Sequence, residues 1–192
     1  MGQKGFYYNN TSCIGCRTCQ VACKDKNDLD VGIFFRRVRT FEVGAYPETK
    51  AYHYSSACNH CSDPKCVKGC PTGAMHFGED GTVQPDADIC IGCRYCTWNC
   101  PYGAPQYIEG KGTVSKCNSC IDLREEGGSP ACVDACVMRC LKFGDLDELE
   151  AEYGPGLVQE LPILPSADIT QPSLLISPKA CALNTAFEER EV

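Results

Sequence analysis

The stretch Cys90-Ile91-Gly92-Cys93-Arg94-Tyr95-Cys96-Thr97-Trp98-Asn99-Cys100-Pro101 spaces its thiols as C-x2-C-x2-C-x3-C-P. Three thiolates two residues apart wrap one face of an iron–sulfide cubane, and the fourth, arriving three residues later, ligates a different cube. One such run therefore implies a neighbouring cluster and a second run to share it. Three more are present. Cys13, Cys16, Cys19 and Cys23 repeat the spacing, with Lys24 in place of Pro. Cys58, Cys61, Cys66 and Cys70 are spaced x2, x4, x3 before Pro71, and the longer gap holds an Asp63-Pro64 turn that keeps the third thiolate within reach. Cys117 and Cys120 are separated by eleven residues from Cys132 and Cys136.

An internal repeat pairs these runs. Cys70-Pro71-Thr72-Gly73-Ala74 recurs thirty residues on as Cys100-Pro101-Tyr102-Gly103-Ala104, so the second and third runs are half-units of one two-cluster ferredoxin-like module. The first and fourth runs have no local partner and pair with each other across that insertion. Exchanging the fourth Cys between paired runs predicts four [4Fe-4S] clusters. Cluster one takes Cys13, Cys16, Cys19 and Cys136. Cluster two takes Cys117, Cys120, Cys132 and Cys23. Cluster three takes Cys58, Cys61, Cys66 and Cys100, and cluster four takes Cys90, Cys93, Cys96 and Cys70. Two Cys are left over: Cys140, which could replace Cys136 if the register slips, and Cys181, a small hydrophobe or free thiol. Gly15 and Gly92 lie between the first two ligands of their runs, where a small residue lets N–H groups approach sulfur; an ordinary turn glycine is the plainer role, and both can hold. Trp98 and Tyr102 are expected to shield a cluster from water. His53, His60 and His76 are expected to be structural.

Rival chemistries fit less well. Zinc sites lack the third Cys at x2 and the Pro after the last Cys. A disulfide framework has irregular spacings and belongs to secreted chains, whereas the N-terminus shows no basic segment followed by an apolar one, so no signal peptide is expected. No glycine-rich phosphate loop, Ser-His-Asp set or isolated carboxylate pair stands out, and no catalytic site is expected. The formal charge is −7, and four oxidised clusters would add about eight negative charges, which disfavours nucleic acid as a partner. No apolar run of about twenty residues is present, so no direct membrane span is expected.

The positioning elements are brief. Residues 6–9 suggest a strand into the first run. Ile33 to Tyr54 suggests a strand pair with turns near Gly44 and Pro47, and its Arg36, Arg37 and Arg39 either dock a partner, face the anionic clusters or form a solvated strand face. A hairpin is expected at Asp80-Gly81, a short helix and loop between Cys120 and Cys132, and a helix from Asp145 to Glu152 stopped by Gly154-Pro155-Gly156. Leu161 to Pro178, punctuated by Pro162, Pro165, Pro172 and Pro178, suggests an extended arm over the chain's own modules or a partner, and Glu188 to Val192 a charged tail. The fold class is thus α+β: an outer ferredoxin-like module (1–51 plus 111–150), an inserted one (52–110) and an extended C-terminal arm (151–192). With so little apolar core, cluster binding should supply much of the folding energy.

Cys58-Asn59-His60-Cys61, the run from Cys90 to Cys96 and Cys100-Pro101-Tyr102-Gly103-Ala104-Pro105-Gln106-Tyr107, in this order of four groups, resemble the iron–sulfur electron-transfer (beta) subunits of the dimethyl sulfoxide reductase family of molybdenum enzymes. The likeness runs from about Phe6 to Pro178. It implies an anaerobic-respiration complex of three parts: a molybdopterin-containing catalytic subunit, this relay, and a membrane anchor subunit with a quinol site, through which the relay is membrane-associated. It also implies that cluster one faces the catalytic subunit and cluster four the anchor. Relatives with an aromatic residue at the place of Cys93 hold a three-iron cluster there, so Cys93 implies a full cubane. Val137 stands where the family has Pro, and Cys140 is additional. The alternatives are a free-standing soluble polyferredoxin, or a relay subunit of a formate dehydrogenase or hydrogenase complex.

Overall fold

A computed structural model describes residues 2–191. Strand β1 (Lys4–Asn9) enters the first Cys loop, and helix α1 (Thr18–Lys26) leaves it. Cys19 and Cys23, four residues apart, share the buried face of α1, as helical periodicity requires. Strands β2 (Arg37–Val43) and β3 (Lys50–Ser56) form the expected antiparallel pair, in register from Arg37 opposite Ser56 to Val43 opposite Lys50. Their aromatic residues fill the inner face: Phe41 and Tyr52 are direct cross-strand partners, with ring centroids 5.3 Å apart, an arrangement that stabilises a sheet.

The middle of the chain is built of small pieces around its thiols. Helix α2 (Lys65–Lys68) is followed by a hairpin, β4 (Met75–Phe77) and β5 (Val83–Pro85), turning at Asp80-Gly81. Helix α3 (Tyr95–Asn99) is followed by a second hairpin, β6 (Gln106–Ile108) and β7 (Thr113–Ser115). Each half thus runs Cys loop, short helix, hairpin, as the repeat requires, and α2 packs on α3. Helices α4 (Ile121–Glu125) and α5 (Ala131–Asp134) lie in and after the eleven-residue gap. Helix α5 packs against α1, although more than a hundred residues separate them.

Strand β8 (Leu141–Asp145) pairs antiparallel with β1, so the segments flanking the first and last Cys groups share a sheet. Helix α6 (Leu146–Tyr153) begins where Asp145 accepts the Asp147 N–H at 3.1 Å, a stabilising N-cap, and Tyr7 stacks on Tyr153. Strand β9 (Leu174–Ser177) lies parallel to β1 on its other edge, and Leu174, Leu175 and Ile176 are buried. Strand β10 (Phe187–Arg190) pairs with β2.

One expectation changes here and two alternatives narrow. The segment after Gly156 wraps its own chain, one of the two places expected for the arm, but it ends as a strand and not as a free charged tail: β9 completes one sheet, β10 another, and Arg39–Glu189 and Arg190–Glu42 ion pairs hold the end. The three arginines separate as well. Arg37 is exposed, Arg39 pairs with Glu189, and Arg36 is buried. Among the described residues no helix is long and apolar enough to cross a membrane.

Candidate metal centres

One backbone device recurs at all four Cys groups. The residue before the second Cys is left-handed in each: Gly15 (φ 69°), His60 (φ 44°), Gly92 (φ 66°) and Ser119 (φ 57°). That turn curls successive N–H groups into a nest that accepts negative charge; the Ser119 N–H lies 3.4 Å from Cys117 Sγ. Glycine is needed at two of the four for space as well as for φ. A Cβ on Gly92 would lie 2.3 Å from the Gly112 carbonyl oxygen, and one on Gly15 would lie 2.5 Å from the His53 ring. His60 and Ser119 adopt the conformation at a cost and gave no glycine signal in the sequence. Arg17 and Arg94, one residue past the second Cys of the matching runs, are also left-handed (φ 62° and 61°) and start α1 and α3.

The thiols gather in four sets. Cys23 lies within electrostatic reach of Cys132 and Cys120, and Cys117 within reach of Cys23 and Cys132. Cys66 has Cys58, Cys100 and Cys61 as neighbours, and Cys96 has Cys70, Cys90 and Cys93. Cys13, Cys16, Cys19, Cys136 and Cys140 line one cavity. Each set thus contains the last Cys of a different run. Cys140 joins the first set, its Sγ 3.4 Å from that of Cys136. Its bond to Cys13, then burial and Cys136, push its thiol up, while the same bond holds Cys13 down. Cys181 stays apart, half-buried against β3.

[4Fe-4S] groups are what this donor set suits. Burial pushes Cys23, Cys61 and Cys66 up to about 12 and Cys96 to about 11; such thiols ionise only beside a strong positive charge, which iron supplies. Cys70 differs: burial raises its pKa, but hydrogen bonds led by the Met75 N–H, 3.5 Å away, outweigh that. The Val114 N–H faces Cys90 Sγ at 3.5 Å, and such donors stabilise a reduced cluster. Buried donors without a protein partner lie in the same region: Nε and Nη2 of Arg36 and Nε2 of His60. His60 is held neutral, first by burial and then by Lys116 and Arg124, and its Nδ1 accepts the Val83 N–H, so Nε2 carries the proton and is free to donate. Among the described residues no three His, Cys, Asp or Glu side chains come close enough to hold a single metal ion.

Trp98 departs from expectation: it is 78% exposed and shields nothing, because near the end of a five-residue helix its side chain faces out while Cys96 faces in. Arg36 is buried among the thiols, in line with one of the alternatives for the three arginines, whereas buried Lys116 was not singled out by spacing. Lys116 donates to the carbonyls of Val83 and Cys117, and its position directly before a Cys was the one local hint.

Small left-handed Cys loops, short helices and two-stranded hairpins around buried thiols define a [4Fe-4S] dicluster protein, and the 4Fe-4S dicluster domain family matches residues 49–146. This protein belongs to the family of the anaerobic dimethyl sulfoxide reductase B subunits. It is 47% identical over 186 residues to the B subunit of anaerobic dimethyl sulfoxide reductase from Escherichia coli K12, covering 93% of this sequence and 90% of that one. It is 45% identical over 191 residues to the same subunit of Haemophilus influenzae (95% and 92%). The thiosulfate reductase electron transfer subunit of Salmonella typhi is 42% identical over 153 residues (78% and 79%).

Proposed function

We propose that this chain relays single electrons through four [4Fe-4S] clusters, between a membrane quinol-linked anchor subunit and a molybdopterin catalytic subunit of a dimethyl sulfoxide reductase-type oxidoreductase. The observation that carries the reading is the grouping of the thiols: Cys23 lies with Cys117, Cys120 and Cys132, and Cys100 with Cys58, Cys61 and Cys66. Crossed ligation forces clusters into close pairs, the spacing a relay needs. A bound cubane supplies one-electron storage. The protein's part is to hold it with sixteen thiolates, aim N–H groups at its sulfurs and keep water away. The packing of α1 on α5 and α2 on α3 supports two modules, 1–51 plus 111–150 around 52–110.

Exposed apolar side chains flank the two outermost thiol sets: Ile14, Val21, Val137 and Met138 beside Cys13 and Cys136, and Ile91, Tyr95 and Trp98 beside Cys90 and Cys93. Exposed apolar surface of this kind suits partner subunits, and it supports a catalytic subunit at the first and an anchor at the second. Association with a membrane would then be through the anchor.

Iron and sulfide analysis of the anaerobically purified protein tests the relay: about sixteen irons are expected at four per cubane, and a count well below that contradicts it. Cys100→Ser separates the ligation schemes. It should abolish the cluster of Cys58, Cys61 and Cys66 and leave that of Cys90, Cys93 and Cys96; the reverse loss would overturn the crossing. Co-purification at equal stoichiometry with a molybdopterin-containing polypeptide distinguishes a subunit from a soluble polyferredoxin.

A further inference from the structure

Arg36 is 3% exposed and has no carboxylate partner among the described residues. Burying an uncompensated guanidinium costs several kcal/mol, so something anionic must face it. Its protein contacts account for only part of its hydrogen-bonding capacity. Nη1 donates to the Ser55 carbonyl at 3.1 Å and the Ser55 hydroxyl at 3.0 Å, and the guanidinium lies 4.7 Å over the Phe6 ring. Nε and Nη2 are buried with no partner. Cys132, Cys19, Cys117 and Cys23 lie within electrostatic reach of it, and each is anionic once it ligates iron. They come from both thiol sets of the outer module. The Ser55 oxygen, having accepted from Arg36, lies 3.4 Å from Cys19 Sγ with its own proton free to donate there.

We propose that Arg36 is a fixed cation shared by clusters one and two, raising both reduction potentials, with Ser55 carrying its hydrogen bond onward to Cys19 and its Nε–H and Nη2–H donating to cluster sulfurs. This rests on the ligation proposed above. Adding one electron to a cubane adds one negative charge, and a cation held beside it in a low-dielectric site stabilises the reduced form. No proton accompanies the electron at Arg36, because a guanidinium keeps its protons throughout the physiological range. Lys116 is a useful contrast: its ammonium is bonded to two backbone carbonyls, whereas Arg36 holds two donors in reserve.

The test is a redox titration, followed by electron paramagnetic resonance, of the anaerobic full-length protein co-expressed with its partner subunits. Arg36→Met should lower the potentials of clusters one and two by at least a tenfold change in the reduced-to-oxidised ratio, about 59 mV for a one-electron couple. Clusters three and four should stay in place. Ser55→Ala, which leaves the charge, should lower cluster one alone and by less. The iron count of the wild type is read first. A low count defeats the ligation reading, whereas a full count with all four potentials unchanged in Arg36→Met overturns the Arg36 assignment alone. If Arg36→Met fails to load iron, Arg36→Lys decides: it keeps a charge and loses the Nε–H and the fork, so clusters one and two should fall by less than tenfold, and four wild-type potentials would overturn the proposal.

Discussion

At the residue scale, the sharpest question is which sulfur beside Cys13 is a ligand. Cys136 and Cys140 are both buried and 3.4 Å apart, but Cys136 occupies the fourth place of its run. Cys140→Ala should therefore leave the iron content of the protein unchanged, while Cys136→Ala should remove about four irons, one cubane's complement. Equal losses in the two variants would show that the two sulfurs share the role. The recurrence of a left-handed residue in four loops of different sequence makes a related point. The loop conformation is set by the need to turn N–H groups toward sulfur, and at two of the four positions buried His60 and Ser119 adopt it without glycine.

At the scale of elements, long-range ties hold short pieces in place. Asp80, on the turn of the β4–β5 hairpin, pairs with Arg124 of α4 at 2.6 Å with both side chains mostly buried, and Arg124 also bonds Ser119 in the fourth Cys loop. Burial raises the Asp80 pKa, but its bonds to Thr82 and Arg124 outweigh that and hold it below the usual carboxylate range. A depressed folded-state pKa contributes stability that is present above the unfolded value of about 3.9 and is lost as pH falls through the folded value. Asp80→Asn should cost about 1–3 kcal/mol at neutral pH. In urea titrations of the iron-loaded protein the gap from wild type should stay constant from about pH 6 to 8, where the Asp80 carboxylate is charged in both the folded and the unfolded state. A gap that changes over that range would show that another titrating group carries the effect. The two C-terminal strands should differ sharply. Ile176→Ala in β9, at a fully buried position, should cost about 2–5 kcal/mol. Truncation after Asn184 removes the edge strand β10 with its surface ion pairs and the half-buried Phe187, which meets Phe41 edge-on, and should lower stability by about 1–2 kcal/mol with iron content intact.

At the scale of the whole molecule, the buried residues fall into one larger cluster and two small ones, and thiols run through the first two. Cys side chains make up much of each of the first two, so removing iron removes the centre of the packing. Oxidative chelation should abolish near-ultraviolet circular dichroism together with the iron–sulfur absorbance, in one transition. Persistence of the tertiary signal after iron loss would mean the polypeptide folds on its own. The exposed apolar surfaces belong to this scale too. Trp98→Glu should detach the protein from the membrane fraction while leaving iron content and catalytic-subunit binding intact, and Val21→Glu should do the opposite. Loss of iron in either variant would mark the side chain as structural instead.

The spacing of the thiols was legible in the amino-acid sequence because it is local: thiols a few residues apart can wrap one face of a cube a few ångströms wide, and the left-over fourth Cys then points to a partner run. The strand pair at residues 37–56, the Asp80-Gly81 hairpin and the capped helix after Asp145 were legible for the same reason, since turns and caps are written in a handful of adjacent residues. The placing of Arg36 among thiols from residues 19 to 132, the exposure of Trp98, the sealing of two sheets by the last thirty residues and the seating of Cys140 beside Cys13 were decided only in three dimensions. Each depends on which distant segment lies opposite, and nothing within a few residues of these positions specifies what will face them.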